Sequence, residues 1–259
     1  MTLVIQKSQK IDTITVTCAI SSPTSPPDAK IDIDYLYHNF LLDPTDFQKI
    51  TYQNHIRAAC LHTIISEKKF RNITYRENGI FELVPKATAK HKKHKYFRNE
   101  CNVTFNKRIC IKVFANFTIH MTGIKSIDDI QLISEKLLDR IKLSTLANGK
   151  SCFGLNINTN DYKINNIRIQ VIRSKIKCDK LDLSIFADFI ANLQNQIIWT
   201  CVFNPCWDKF IRVSYIKDDI TIKYTVFSTG SVLVSVNSID ALQHSESEFI
   251  KLLDLFKNK

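Results

Sequence analysis

The sequence predicts an α+β fold of two pseudo-symmetric halves, their strands joined into one long curved antiparallel sheet with helices on the convex face. Three observations predict it. A strand-like run, a short link and an amphipathic helix occur twice, the helices opening at Lys30-Ile31-Asp32-Ile33 and Lys180-Leu181-Asp182-Leu183. Two phenylalanine pairs, Phe97 with Phe114 and Phe210 with Phe227, have the same spacing of i and i+17, one pair in each half of the chain. The second member of each pair lies in a strand-like run that leads into a further amphipathic helix. A duplicated order of strand, helix, antiparallel strands and helix can place the helices in one layer and leave the other sheet face concave and open.

Residues 1–10 read as a short lead-in, and Thr13 to Ile20 alternates β-branched with small residues, as a strand does. The loop that follows carries Pro23, Pro26 and Pro27. The helix from Lys30 places Ile33, Leu36, Tyr37, Phe40 and Leu41 on one face, and Asp43-Pro44 ends it. Between this helix and Phe97 the first half carries about 37 residues more than the second. In that excess, Asn78-Gly79, flanked by Ile73, Tyr75, Ile80 and Phe81, predicts a type I′ hairpin. The run Lys86, Lys90, His91, Lys92, Lys93, His94 and Lys95 predicts a basic loop. Strands are expected near 98–105, 109–116 and 117–122. Ser126 is the expected cap of the next helix, with Asp129 as capping-box partner and Ile130, Ile133, Leu137, Leu138 and Ile141 as the buried stripe ending near Leu143. Thr145 to Asn160, with Asn148-Gly149 and Gly154, reads as a linker.

The second half repeats the order. A strand over Asn166 to Arg173 precedes a helix carrying Phe186, Phe189, Ile190, Leu193 and Ile197 on one face. Strands near 211–216, 221–228 and 230–236 follow, and Ser238 caps a helix carrying Leu242, Phe249, Leu252, Leu253 and Phe256. The boundaries are therefore 1–144 for the first half, with an insertion within about 44–95, then 145–163 for the linker and 164–259 for the second half.

A chain of 259 residues with 44% hydrophobic content can bury a substantial core. Its net charge of +11 favours a polyanionic partner, nucleic acid before an acidic membrane surface. Eight cysteines contain no CxxC, and Cys201 and Cys206 have no second pair at zinc-ligand spacing. Free thiols in a reducing, intracellular compartment are expected, with no metal and no cofactor. The N-terminus lacks a signal peptide's apolar core, and no apolar run approaches the length of a membrane-spanning helix. There is no Gly-rich phosphate loop, no HExxH and no nucleophile elbow, so an enzyme is not expected.

These motifs, in this order, resemble the TATA-box-binding protein family in a divergent form. The family opens its first helix with Lys-Leu-Asp-Leu, matched by Lys180-Leu181-Asp182-Leu183 and echoed by Lys30-Ile31-Asp32-Ile33. It keeps two phenylalanines at the same i and i+17 spacing in each half, the second followed by Ser-Gly-Lys and Thr-Gly-Ala-Lys. Here Thr122-Gly123-Ile124-Lys125 keeps the latter motif in the first half and Ser228-Thr229-Gly230 keeps the glycine turn in the second. Asn204-Pro205, ahead of Phe210, is similar to the family's Asn-Pro. An extended, basic, insertion-bearing chain is similar to the TATA-binding-like proteins of large DNA viruses. The departures lie on the sheet face. Phe117-Thr118 stands for Gly-Lys, Ser231 for that Lys, and Ser235-Val236 for Thr-Gly. The family's first-strand Asn is kept at Asn166, its first-half counterpart is near Asp12, and His120 and Arg168 stand where apolar floor residues are expected.

The resemblance implies the family's saddle fold and its established mechanism, in which apolar wedges enter the minor groove, unstack base steps and kink the duplex. Phe97, Phe114, Phe210 and Phe227 are the implied wedges, Thr122, Asn166 and Ser235 the implied floor contacts to base-edge acceptors. Phe117 is a further aromatic candidate for the concave face. Lys90, Lys92, Lys93 and Lys95 are the candidate phosphate contacts. Read without the resemblance, each phenylalanine is as well explained as core, each Thr or Ser as ordinary strand, and the Lys/His run as a solvated loop or localisation signal. The implied partners are double-stranded DNA and other initiation proteins or RNA polymerase, with no membrane and a monomeric chain. The implied location is the nucleus or, for a viral protein, a cytoplasmic factory. The leading function is a transcription initiation factor that bends AT-rich promoter DNA. The alternative is a saddle-fold protein–protein adaptor that has lost duplex binding, and a nucleic-acid-modifying enzyme using the fold as an accessory lacks room for a catalytic domain.

Overall fold

The computed structural model describes residues 10–26, 29–53, 55–59, 70–75, 79–85, 99–144, 149–155, 157–193 and 198–258. Asn78, Phe97, Asn148, Ile197 and the basic run with Lys90, Lys92, Lys93 and Lys95 lie outside the described residues. The chain divides into two compact units, one of residues 16–168 and one of residues 1–15 with 169–259. The fold class is α+β, with antiparallel strands and α-helices, as the sequence predicts.

The unit of residues 16–168 begins within β1 (Ile11–Ser21) and continues through α1 (Ile33–Asn39), β2 (Phe47–Tyr52), β3 (His55–Ala58), β4 (Phe70–Tyr75) and β5 (Phe81–Pro85). Then come β6 (Glu100–Phe105), β7 (Ile109–Phe114), β8 (Thr118–Ile124) and α2 (Asp128–Leu143). Its strand order is β1-β8-β7-β6-β2-β3-β5-β4. Alternation decides the faces, because successive side chains point to opposite sides of a strand. Val103, Ile111, Val113, Ile119 and Met121 are buried toward the helices, and Asn102, Cys110, Lys112, Phe114, His120 and Thr122 alternate with them on the other side. Asp32 caps α1 by accepting the Tyr35 N–H at 2.9 Å. The α2 stripe of Ile130, Ile133, Leu137, Leu138 and Ile141 is buried as expected, and Arg140 on that helix pairs with Asp46 at 2.9 Å.

In the excess between β2 and β6, β4 and β5 pair antiparallel with Tyr75 opposite Phe81, a register one residue away from the one a two-residue type I′ turn at Asn78-Gly79 requires. Residues 150–155 and 157–162 are more ordered than the linker reading allowed. They hold the short antiparallel pair β9 (Lys150–Ser151) and β10 (Gly154–Leu155) and a 3₁₀ turn at Thr159–Asp161, with Cys152, Phe153 and Tyr162 buried. Tyr35 anchors this segment by donating its hydroxyl to the Lys150 carbonyl at 2.7 Å.

Two helix details differ from expectation. Helix α1 stops at Asn39, so Leu41 leaves the apolar stripe and is 46% exposed. The N-cap position of α2 falls on Ile127, which offers no side-chain bond, and Ser126 takes the Asp128 N–H at 3.3 Å from one residue further out.

The other unit takes β11 (Lys163–Lys177) from Ile169 on, α3 (Leu183–Asn192), β12 (Trp199–Val202), β13 (Phe210–Lys217), β14 (Ile220–Phe227), β15 (Ser231–Val236) and α4 (Ile239–Lys257). Its strand order is β12-β13-β14-β15-β11. Asp182 caps α3 through the Ser184 and Ile185 N–H groups, and Ser238 caps α4 through that of Ala241 at 3.1 Å. The core joins Ile211, Val213, Ile222, Tyr224, Val226, Val232 and Val234 to Phe186, Phe249, Leu252 and Leu253. Tyr224 stacks on Phe249 at 5.0 Å and donates its hydroxyl to the Ser245 carbonyl at 2.7 Å, which removes the cost of burying that polar group.

Candidate nucleic-acid interface

In residues 169–259 the sheet face turned away from α3 and α4 is read directly from the strand register. Phe210 and Phe227 are cross-strand partners, half-buried, with ring centroids 5.6 Å apart. Arg212 lies over the Phe210 ring at 5.1 Å. One residue pair further along, Arg212 faces Thr225, which faces Leu233, which faces Lys175. The next row runs Thr200, Ser214, Lys223, Ser235 and Arg173 straight across the five strands. No Asp or Glu occupies these open-face positions, although Lys175 reaches Asp12 at 2.9 Å. Ser235 and Lys223 also line a shallow groove of about 160 Å³ with Gln170, Val171, Thr221, Val236 and Asn237.

The corresponding face of residues 16–168 has a different character. Phe114 is half-buried opposite Glu100, and its ring meets that of His120 edge-on at 5.0 Å. Lys112 faces His120 across the strands and is held by Glu100 at 3.1 Å, which leaves this patch nearly neutral. Thr122 is exposed and faces Cys110, whose thiol burial raises above its ordinary value against the pull of Lys112 and Lys49.

Phe117 does not stand on that face. It adopts φ +66 and stacks on Phe153 and Tyr162, with centroids at 6.2 and 6.0 Å. Stacking on this buried aromatic pair offsets the strain of a left-handed backbone at a position where the family has glycine. Asn166 is exposed at φ +50, a kink that breaks strand alternation. Its neighbour Asn165 donates to Ser21 instead, and the Asn165 Oδ1 is buried without a hydrogen-bond partner. The motif glycines serve the backbone. A Cβ at Gly230 (φ +79) would collide with the Cys178 and Asp179 carbonyls, and one at Gly123 (φ +94) would sit 2.6 Å from the Arg108 carbonyl oxygen.

No family model matches the chain. Among curated proteins it is 23% identical over 244 residues to the TATA-box-binding protein-like protein of Acanthamoeba polyphaga mimivirus, covering 87% of this chain and 59% of that protein. The chain is similar to a TATA-box-binding-protein-like protein. It spans about three fifths of the length of that curated relative. Among solved structures it is similar to Methanococcus jannaschii TBP, with 13% identity, a TM-score of 0.46 and 98% and 100% of the two chains covered. Of the four phenylalanines, Phe114, Phe210 and Phe227 lie among the described residues, half-buried on the strand faces opposite the buried alternation.

Sequence reasoning missed Arg173, Arg212 and Lys223. Their alternation with buried neighbours was readable, but only the cross-strand register aligns them with Ser235 and Phe210. It also passed over Trp207, 84% exposed on the Asn204–Asp208 turn that precedes Phe210. Among the described residues no group of three or more His, Cys, Asp or Glu is placed to hold a metal ion, and no helix is long and apolar enough to cross a membrane.

Proposed function

We propose that this chain is a transcription initiation factor that binds AT-rich duplex DNA in the minor groove through its open strand faces and bends it. The observation that carries the reading is the Phe210–Phe227 pair, two adjacent rings on the face that the helices leave uncovered. A flat, stiff ring of this kind can enter between base steps and stack on an exposed base, at a cost of a few kcal/mol per unstacked step. Flexible steps such as TA lower that cost, so they mark the preferred kink positions. Phe114, with Phe97 from the same half of the sequence, acts as the second pair, and Thr122, Asn166 and Ser235 meet base edges. The net charge of +11 supports a polyanionic partner. The strand orders β1-β8-β7-β6-β2 and β11-β15-β14-β13-β12 are alike, which supports a duplicated chain with an excursion after β2.

The adaptor reading draws on a different observation: the Lys112–Glu100 pair and the His120 ring leave the Phe114 patch without net cationic pull. One variant separates the two readings. Phe227→Ala should fold and melt nearly as the parent does, bind duplex DNA more weakly and bend it far less in a circular-permutation or energy-transfer assay. A stable variant that bends AT-rich duplex normally would remove Phe227 from the wedge role. A parent protein that bends no duplex while capturing initiation proteins would favour the adaptor.

The basic run belongs to the same reading. Replacing Lys90, Lys92, Lys93 and Lys95 by Ala should weaken binding to all sequences alike and flatten the salt dependence by up to about four units. An unchanged slope would take these lysines off the phosphates.

A further inference from the structure

The row that crosses Ser235 combines two groups that only donate, on Arg173 and Lys223, with the hydroxyls of Ser235, Ser214 and Thr200. Arg173 and Lys223 flank Ser235 on its two neighbouring strands, and Ser214 and Thr200 continue the row. At a strand spacing of ~4.8 Å, the two cations stand about 10 Å apart on either side of the serine. Guanidinium and ammonium groups donate only, whereas a hydroxyl turns to donate or accept. No carboxylate or side-chain amide stands in this row, and the amides of Gln170 and Asn237 line the adjoining groove. The groove beside Ser235 and Lys223 lets a ligand edge approach them.

The minor groove makes such a row selective. An A·T pair presents only the acceptors adenine N3 and thymine O2 there, in either orientation, whereas a G·C pair adds the guanine 2-amino donor. A donor row meeting A·T is satisfied at each position. Meeting G·C, it faces the 2-amino donor, which projects into the groove and holds the row's N–H groups away from the acceptors beneath, and desolvated donors held off their acceptors are costly. We infer that Arg173 and Lys223 are specificity-determining residues that bracket Ser235 and reject G·C pairs by their 2-amino group. This rests on the duplex-binding reading above, and differs from a phosphate role, which would carry no sequence information.

The test uses the full chain and three duplexes identical except at the central pairs: A·T, G·C and inosine·C, the last lacking the 2-amino group while keeping the major-groove face of G·C. The parent should bind A·T and inosine·C alike and G·C about ten-fold more weakly. Arg173→Met and Lys223→Met keep the aliphatic stems and should bring the three affinities together. Lys223→Gln adds an acceptor and should recover G·C binding without the other two changing more than about two-fold. Variants that weaken all three duplexes equally, with a shallower salt slope, would assign both cations to phosphates and overturn the inference. A parent that distinguishes inosine·C from A·T would overturn it too. A parent that binds none of the duplexes would overturn the duplex reading and this inference together, whereas intact bending with unaltered selectivity in the variants would overturn only the latter.

Discussion

Phe227 and Tyr224 lie three residues apart on one strand and meet opposite surroundings. Tyr224 is sealed under α4 against Phe249, and Phe227, half-buried, faces Phe210 on the side of the sheet that the helices leave uncovered. Tyr224→Ala or Phe249→Ala should therefore cost roughly 3–5 kcal/mol in chemical denaturation, and Phe227→Ala much less, because only the former leave a cavity. Equal losses would place Phe227 in the core. The thiols give a second residue-scale expectation. Burial pushes Cys18 and Cys178 up to about 11 and Cys152 up to about 12, from an ordinary value of 9.0. The unfolded chain gives up these protons first as pH rises. The stability they confer is thus complete below about pH 9 and is lost between pH 9 and about pH 12. Denaturation midpoints at pH 8 and pH 10.5 check the sign, and Cys206, exposed on its turn, should react first with a thiol reagent among the described cysteines. The phenylalanine pair was legible in the sequence because spacing and alternation are both local properties. Arg173 and Lys223 were not, since a lone exposed cation reads as a solvated face until register brings it beside Ser235.

Helices α2 and α4 begin with similar signals and different caps. Ser238 sits at the N-cap and accepts the Ala241 N–H, so Ser238→Ala should cost about 1 kcal/mol. Ser126 lies one residue outside the cap position, and Ser126→Ala should cost clearly less by the same thermal or urea measurement. Sequence alone marked both serines, because the cap signature carries no information on the backbone angle of the next residue. Ile127 is helical at φ −67, ψ −36, and this moves the boundary. The apolar part of the α2 stripe was legible from its period, its buried Ser134 was not, and neither was Leu41, because α1 ends two residues before it. Gly230 shows how tightly the β14–β15 turn is drawn. Gly230→Ala should lose about 1–3 kcal/mol from left-handed strain and more from collision with the Cys178 and Asp179 carbonyls. The 150–155 and 157–162 segments escaped a periodicity argument altogether, since their order comes from tertiary stacking of Phe153, Tyr162 and Phe117.

At the scale of the whole molecule the two units carry their open faces differently. The face in residues 169–259 presents Arg173, Lys177, Arg212 and Lys223, while that in residues 16–168 presents Lys49 in the row of Cys110 and Thr122 and has its Lys112 held by Glu100. This inequality was hidden from bulk composition, which gives one net charge for the entire chain. Its consequence is kinetic. Long-range attraction to a polyanion acts before any contact is made and decays within about 10 Å at 0.1 M salt. The cationic face should therefore govern the encounter, and added salt should slow arrival on DNA more than it hastens departure. Stopped-flow association at two ionic strengths would show the sensitivity falling with Arg212→Met and staying unchanged when Lys112→Met is combined with Glu100→Gln, which removes the neutral pair together. Under the proposed duplex binding, the locally neutral Phe114 patch adds little to that first attraction, and its ring engages a duplex already captured.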